Sequence, residues 1–203
     1  MEEIENNKDT KNKKEIMKAA KELFIKYGLN KTTIDEIAET ARKSKTTIYQ
    51  LFSNKENILV EILNDEARAH FDCVVSEVNK QTSSINELKA YIKTTICEFK
   101  KKFLLFSLVK GEIKTSLLSH YQVRKEIDMF EKEVVKNIIF NGIKTGEFSE
   151  YYEPKLDYIA YYITNFTRGL MMQLILDEEN NLHIDDDDNF NVFTDILIKG
   201  LEK

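Results

Sequence analysis

The sequence predicts an all-α chain. Pro occurs once and Gly six times in 203 residues, far below the usage of loop-rich or strand-rich proteins. Lys, Glu, Leu and Ile abound, and apolar residues recur at the i, i+3, i+4 spacing of helical stripes along most of the length. About nine helices are expected, as an N-terminal three-helix helix-turn-helix domain over residues 1–53 and a C-terminal helical bundle over 54–203. A chain of this length suits one or two compact domains and can bury a substantial core.

The first helix is carried by Ile16, Ala19, Ala20, Leu23, Phe24 and Tyr27 as one buried stripe, with Lys14, Lys18, Lys21 and Lys26 on its other faces. Residues 1–12 before it are expected as a flexible arm. Gly28 tolerates the positive φ at which such a helix stops. Thr33 to Glu36 reads as a capping box, in which the Thr33 hydroxyl takes an orphan N–H and Glu36 reaches back. Ile34, Ile37, Ala38 and Ala41 then line a very short second helix. Arg42 and Lys43 make a turn, and Ser44 caps a third helix from Lys45 to about Leu51. Ile48, Leu51 and Phe52 face inward there, leaving Lys45, Thr46, Thr47, Tyr49 and Gln50 largely outward. A fourth helix starts after Ser53 or Asn54.

A seven-residue helix with so many outward hydrogen-bonding side chains is a poor independent folding unit. It makes sense as a reading head held by its neighbours. Two short helices across a tight turn, the second polar and basic, form the helix-turn-helix arrangement. The pattern TTI-x-E-IA-x-x-A-x-x-S-K-x-T-I-Y-x-x-F-x-x-KE within residues 32–56 closely resembles the N-terminal domain of the TetR family of bacterial transcriptional regulators. The resemblance covers about a quarter of the chain. Arg42 and Lys43 depart from it: the family usually carries Gly and an aliphatic residue there, and often a small residue where Thr46 stands. The two changes add charge where phosphates would lie.

The resemblance implies double-stranded operator DNA as a partner, with roles carried over by matching position. Lys45, Thr46 and Gln50 are expected at base edges, since Gln pairs bidentately with adenine and Lys with guanine. Thr33, Lys43, Ser44, Thr47, Tyr49 and Lys55 are expected at phosphates. The net charge of −5 argues against nucleic acid until it is counted by region. Between Lys8 and Lys55, 12 Lys/Arg face 6 Asp/Glu, a local net of +6, so the remainder carries −11. Screening over roughly 8 Å at physiological salt lets an acidic body coexist with that patch.

Ile58, Leu59, Ile62, Leu63, Ala67, His70 and Val74 continue the fourth helix, and a polar break over residues 79–84 precedes one carrying Leu88, Tyr91, Ile92, Ile96, Phe99 and Phe103. Gly111 and residues 116–120 suggest bends. Another helix is expected from about Tyr121 to Thr145, stopping at Gly146. Pro154 marks the start of a long helix, where its missing N–H costs nothing. From Leu156 to Leu176 that helix is apolar on nearly two faces, which calls for two partners: the protein's own core and a second subunit. Gly169 at its middle costs about 1 kcal/mol relative to Ala, tolerable where helices approach closely. Phe190, Phe193, Thr194, Leu197, Ile198 and Leu201 mark a last helix.

In the resembled family the last two long helices pair with their mates in a homodimer, and the C-terminal domain encloses a pocket for a small-molecule effector. This implies an interface at Ile163, Gly169, Leu170, Leu174, Phe193 and Leu197. Phe99, Phe103, Phe106, Tyr121, Phe130, Tyr162 and Phe166 are the candidate aromatic lining, suiting a lipophilic effector.

Other chemistry has little support. The run EENNLHIDDDD lacks the alternating ligands and Gly of a calcium loop and reads as a solvated linker. His70, His120 and His183 share no ligand spacing, and no nucleophile–base or paired-carboxylate constellation stands out, so neither a metal, a cofactor nor catalysis is expected. Two cysteines give no disulfide framework, no apolar run approaches 18 residues, and the charged first 14 residues lack a secretory apolar core; a cytoplasmic protein is expected. The reading is thus a ligand-responsive, dimeric DNA-binding repressor of a palindromic operator. Its rivals are an effector-independent architectural DNA-binding protein and a helical small-molecule-binding protein or enzyme with a vestigial head.

Overall fold

The computed structural model describes residues 2–101, 117–176 and 187–202. Among these residues the chain is all-helical, without a strand. Its helices are α1 (Glu2–Tyr27), α2 (Ile34–Ala41), α3 (Lys45–Leu51), α4 (Lys55–Val78), α5 (Ser84–Lys101), α6 (Leu117–Thr145), α7 (Leu156–Leu176) and α8 (Asp187–Lys199). A 3₁₀ turn, Glu150–Lys155, holds Pro154 just ahead of α7. The described residues form two compact units. One comprises α1 to α3, α4 as far as Glu66 and the start of α6 as far as Gln122; the other comprises α4 from Ala67, α5, α6 from Val123, the 3₁₀ turn, α7 and α8.

The first unit differs in two respects from the head expected over residues 1–53. Helix α1 begins at Glu2 and leaves no extended arm. The unit also reaches past residue 53. Ile58, Leu59, Ile62 and Leu63 of α4 are buried with Ile16, Ala20 and Phe24 of α1, Ile37 and Ala38 of α2, Ile48 of α3, and Phe52. Each large apolar side chain so buried contributes roughly 1.5–3 kcal/mol, which is what keeps helices of eight and seven residues folded.

Turns of the head follow the sequence signals. Gly28 stands at φ 82°, its N–H donating to Phe24 O at 2.9 Å. Thr32, 1% exposed, donates its hydroxyl to Gly28 O at 2.8 Å. The capping box forms as read: Glu36 N–H donates to Thr33 Oγ1 at 3.3 Å, and Thr33 N–H donates to Glu36 Oε2 at 2.8 Å.

In the second unit α5 buries Leu88, Tyr91, Ile92, Ile96 and Phe99, α6 buries Val135, Ile138, Ile139 and Ile143, and α7 buries Ala160 and Ile163. Buried threonines take part because their hydroxyls bond back one helical turn: Thr95 to Tyr91 O at 2.7 Å, Thr164 to Ala160 O at 2.9 Å, Thr167 to Ile163 O at 2.8 Å. The Glu147 carboxylate caps α5, accepting from the N–H groups of Ser84 and Ile85 at 3.1 Å each. Phe148, fully buried, lies so close to Gly142 that an added Cβ would sit 2.1 Å from its ring.

Helix α7 resolves its two apolar faces differently from the expectation. Ala160, Ile163, Thr164 and Thr167 point into the unit, whereas Tyr158, Tyr161, Tyr162, Phe166 and Gly169 are exposed. Ile163 is therefore core of its own subunit instead of an interface residue. Tyr162 and Phe166 stand on the outside instead of lining a cavity. The inward stripe is the i, i+3, i+4, i+7 set, and every aromatic residue of α7 falls off it.

Candidate nucleic-acid interface

Helix α3 is pinned at both ends. Ser44 Oγ accepts from Thr47 N–H at 3.0 Å and lies 2.9 Å from Thr47 Oγ1. Phe52 N–H donates to Ile48 O at 2.8 Å as the chain leaves the helix. Ile48 is fully buried beneath α3. With that side held down, Lys45, Thr46, Tyr49 and Gln50 are left exposed on the other. Tyr49 presents 56% of its surface to solvent, a high exposure for a large ring. Amide, hydroxyl, phenol and ammonium groups thus share one convex face, the donor and acceptor set that base edges and phosphates can meet.

The cations around this face are employed in three different ways. Lys45 pairs with Asp35 at 2.7 Å, both side chains more than half exposed. Such a surface pair is worth little and yields to a stronger anion. Lys43 turns away from the face: its Nζ donates to Asn12 Oδ1 at 2.8 Å and pairs with Glu15 Oε2 at 2.6 Å, tying the turn to α1. That ammonium holds the Glu15 carboxyl below its ordinary value. Lys55 is a clamp. Its Nζ donates to the carbonyls of Leu29 at 2.8 Å, Asn30 at 3.2 Å and Thr32 at 2.9 Å, using all three protons on the α1–α2 loop.

The expected phosphate contacts divide accordingly. Lys43 and Lys55 are committed to internal partners, because each side chain lies against main-chain or polar groups brought near by folding. The Thr33 hydroxyl is likewise used, donating to Glu36 Oε2 at 2.8 Å. Its N–H and hydroxyl together lower the Glu36 carboxyl below its ordinary value. Ser44 and Thr47 bond each other while remaining near the surface, and Tyr49 stands outward.

The turn before α3 holds the least ordinary backbone in the head. Arg42 sits at φ 52°, ψ 44°, in the left-handed region; it is the one non-glycine residue with positive φ among the described residues. Its N–H donates to Glu39 O at 3.1 Å and the next N–H, of Lys43, to Ala38 O at 2.9 Å, closing α2 in the way a glycine usually does.

Of the expected effector lining, the side chains of Phe99, Phe130, Tyr162 and Phe166 are described. Phe99 is buried, whereas Phe130, Tyr162 and Phe166 are 60%, 67% and 42% exposed. Phe130 instead lies 6.2 Å, centroid to centroid, from Phe71. Phe103 and Phe106 lie outside the described residues, as do the side chains of Tyr121, Leu174 and Phe193. Leu170 and Leu197 are half-buried, and a Cβ on Gly169 would meet nothing within 4 Å. A cleft of about 510 Å³ is lined by α4, α5 and α8 through residues such as Cys73, Glu77, Lys89, Lys93, Cys97 and Glu98, a largely polar set. Sequence reading also passed over the ion group in which Arg168 of α7 meets Asp128 at 2.8 Å and Glu131 at 2.7 Å. Its signal was available, since Arg168 is the only base in α7.

Among the described residues no three His, Cys, Asp or Glu side chains are placed to hold a metal ion, and no helix is long and apolar enough to cross a membrane.

Comparison with known proteins agrees with this head. Residues 16–62 match the family model described as bacterial regulatory proteins, tetR family. The HTH-type transcriptional regulator QacR of Staphylococcus aureus is 50% identical over 54 residues, a stretch covering 27% of this chain and 29% of QacR. The fatty acid metabolism regulator protein of Bacillus subtilis is 23% identical over 142 residues, 70% of this chain and 73% of that protein. Among solved structures, a transcriptional regulator from Cytophaga hutchinsonii superposes with a TM-score of 0.72 at 25% identity, covering 93% of this chain and 97% of the other. FadR of Bacillus subtilis in complex with stearoyl-CoA superposes at 0.68 and 19% identity, over 93% and 98%. A short third helix capped by Ser44, a capping box at Thr33 and a head core running into α4 are thus set in a fold that the two solved structures share over 93% of the chain. Over residues 16–62 the chain matches the tetR family of bacterial regulatory proteins.

Proposed function

We propose that this protein is a dimeric, ligand-responsive repressor that grips a palindromic operator with two copies of α3. The observation that carries the reading is the convex face of Lys45, Thr46, Tyr49 and Gln50, polar and exposed on a helix too short to stand alone. Such a face has no structural task of its own, and a seven-residue helix fits the major groove. Lys45, Thr46 and Gln50 read bases; Tyr49, with Ser44 and Thr47, meets phosphates. The named relatives all being regulators, binding and not catalysis is the protein's work, in the cytoplasm where its DNA lies.

A second copy is the occupant we assign to the outward face of α7. Tyr158, Tyr161, Tyr162 and Phe166 are 42–69% exposed there, beside Gly169, whose open side admits a close helix; Val192 and Ile196 of α8 are 61% and 68% exposed. Dimerisation also doubles the half-sites read. The effector is a small lipophilic molecule, an assignment supported by the regulator crystallised with stearoyl-CoA. It releases DNA only in so far as it prefers the geometry that does not fit the operator, about 1.4 kcal/mol for each tenfold release.

The test is titration of the full chain onto its own upstream DNA between 50 and 200 mM salt, followed by addition of stearoyl-CoA or stearate. Retarded complexes with two chains per operator, weakened by salt, are expected. Absence of any salt-dependent binding overturns the reading. Tight binding that neither lipid releases, with no thermal stabilisation by either, points to the architectural alternative.

A further inference from the structure

We propose that Arg42, in the turn between α2 and α3, is a phosphate anchor for the duplex that α3 reads. The inference rests on the DNA-binding reading above and singles out, of the two turn residues that add charge there, the one whose side chain is not tied to α1. Three observations on this one residue support it.

The first is the backbone. Arg42 occupies φ 52°, ψ 44°, a region where a Cβ costs roughly 1–2 kcal/mol and where glycine costs nothing. The turn would close equally well on glycine, because what satisfies the end of α2 is the main-chain N–H of residues 42 and 43. A strained non-glycine residue is held where its side chain has a use, and observed outliers of this kind gather at functional sites.

The second is the side chain's freedom. The other cations of the turn and its surroundings have internal partners: Lys43 on Asn12 and Glu15, Lys45 on Asp35, Lys55 on three carbonyls, Lys21 on Glu66. Arg42 is exposed, and no carboxylate pairs with it among the described residues. Its guanidinium is therefore available to an outside anion without breaking anything, and its planar fork matches a phosphate bidentately.

The third is position. Arg42 precedes by two residues the cap of the helix that enters the groove, so it stands at the groove's edge when the face of Lys45, Thr46 and Gln50 meets the bases. Phosphates line that edge, and contacts there set register without reading sequence. Lys43, the neighbour that sequence alone would nominate, points back to α1.

The charge and the strain can be separated by substitution. Arg42→Gly removes both, Arg42→Asn removes the charge but keeps a residue that tolerates the left-handed region, and Arg42→Lys keeps charge and strain. Full-length proteins are compared on a duplex that the wild type selects from a random-sequence pool, from 50 to 200 mM salt, with thermal unfolding in parallel. Arg42→Gly is expected to unfold at a higher temperature and still bind more weakly. Each anchor lost flattens the slope of log affinity against log salt by about 0.9, an eightfold loss or so at 0.1 M, and by twice that slope for a dimer. Arg42→Asn should share the flattened slope, and Arg42→Lys should keep most of the wild-type slope. A wild-type slope in Arg42→Gly overturns the assignment and leaves the DNA reading intact. A loss of affinity in all three variants with no change in slope also overturns it, assigning the turn a purely conformational role. A wild type that selects no duplex removes the DNA reading itself.

Discussion

Replacing Lys55 by Met separates a clamp from a DNA contact. The substitution keeps the apolar stem, removes the ammonium and leaves the carbonyls of Leu29, Asn30 and Thr32 without their shared donor. A net contribution of about 1.5–3 kcal/mol is usual for one hydrogen bond to a charged group. The three are not additive here, since they share one ammonium and the bond to Asn30 lies at the surface, where water replaces it. Two part-buried bonds at the lower end of the range give about 3 kcal/mol. For a chain of this size that lowers the midpoint of thermal unfolding by roughly 6–12 °C.

The assay is thermal and urea unfolding of the full chain, followed by far-ultraviolet circular dichroism, with DNA titration across salt beside it. The clamp predicts a large stability loss and, at temperatures where the variant stays folded, an unchanged salt slope. Stability within about 0.5 kcal/mol of wild type, the usual range for surface changes, would refute the clamp. A flattened salt slope at wild-type stability would return Lys55 to the phosphate backbone.

Further outcomes follow from the second unit. Gly142→Ala places a Cβ 2.1 and 2.5 Å from ring atoms of Phe148 and 2.9 Å from Ser84 Cβ; forcing a fully buried ring aside costs about 1–3 kcal/mol or more, so wild-type urea unfolding of this variant would contradict the packing. Arg168→Met removes the guanidinium that joins Asp128 to Glu131, the latter 7% exposed, and should destabilise in the same assay, with Arg168→Met/Glu131→Gln recovering part of the loss. Burial pushes the Glu147 carboxyl up, but the N–H groups of Ile85 and Ser84 and the Thr145 hydroxyl outweigh it and hold the group below its ordinary 4.5. A depressed folded value means stability that is present above pH 4.5 and lost as pH falls through the folded value, so the stability gap between wild type and Glu147→Gln should be full at pH 7 and close below pH 4.5; a gap independent of pH would contradict the cap.

What was legible in the sequence was local. The stop at Gly28, the box from Thr33 to Glu36 and the cap at Ser44 are each written within three or four residues, and each formed. What stayed hidden depends on which groups folding brings together. Lys55 meets carbonyls 23 to 26 residues away, and Lys43 meets Asn12 across 31; nothing in a lysine's neighbourhood says where four methylenes will reach. The boundary of the head was hidden for a related reason. Ile58 and Ile62 belong to the stripe of one continuous helix, and apolar spacing marks the buried face without marking which core buries it.

Helix α7 is the instructive failure. Hydrophobicity nominates its three tyrosines and Phe166 as interior and its threonines as exterior, and the structure reverses both. A threonine can enter a core because its hydroxyl satisfies itself on the carbonyl one turn back, as Thr164 and Thr167 do. A tyrosine can face outward without becoming soluble-looking, since its ring still seeks cover. The aromatic residues of such a helix therefore argue for an interface and not for a pocket. Tyr162 tests this distinction: Tyr162→Asp should leave unfolding of the subunit nearly unchanged, because the ring is 67% exposed, while shifting sedimentation from dimer towards monomer. Loss of stability with the dimer intact would place the ring in a core after all, and the inward stripe of α7 would have to be redrawn.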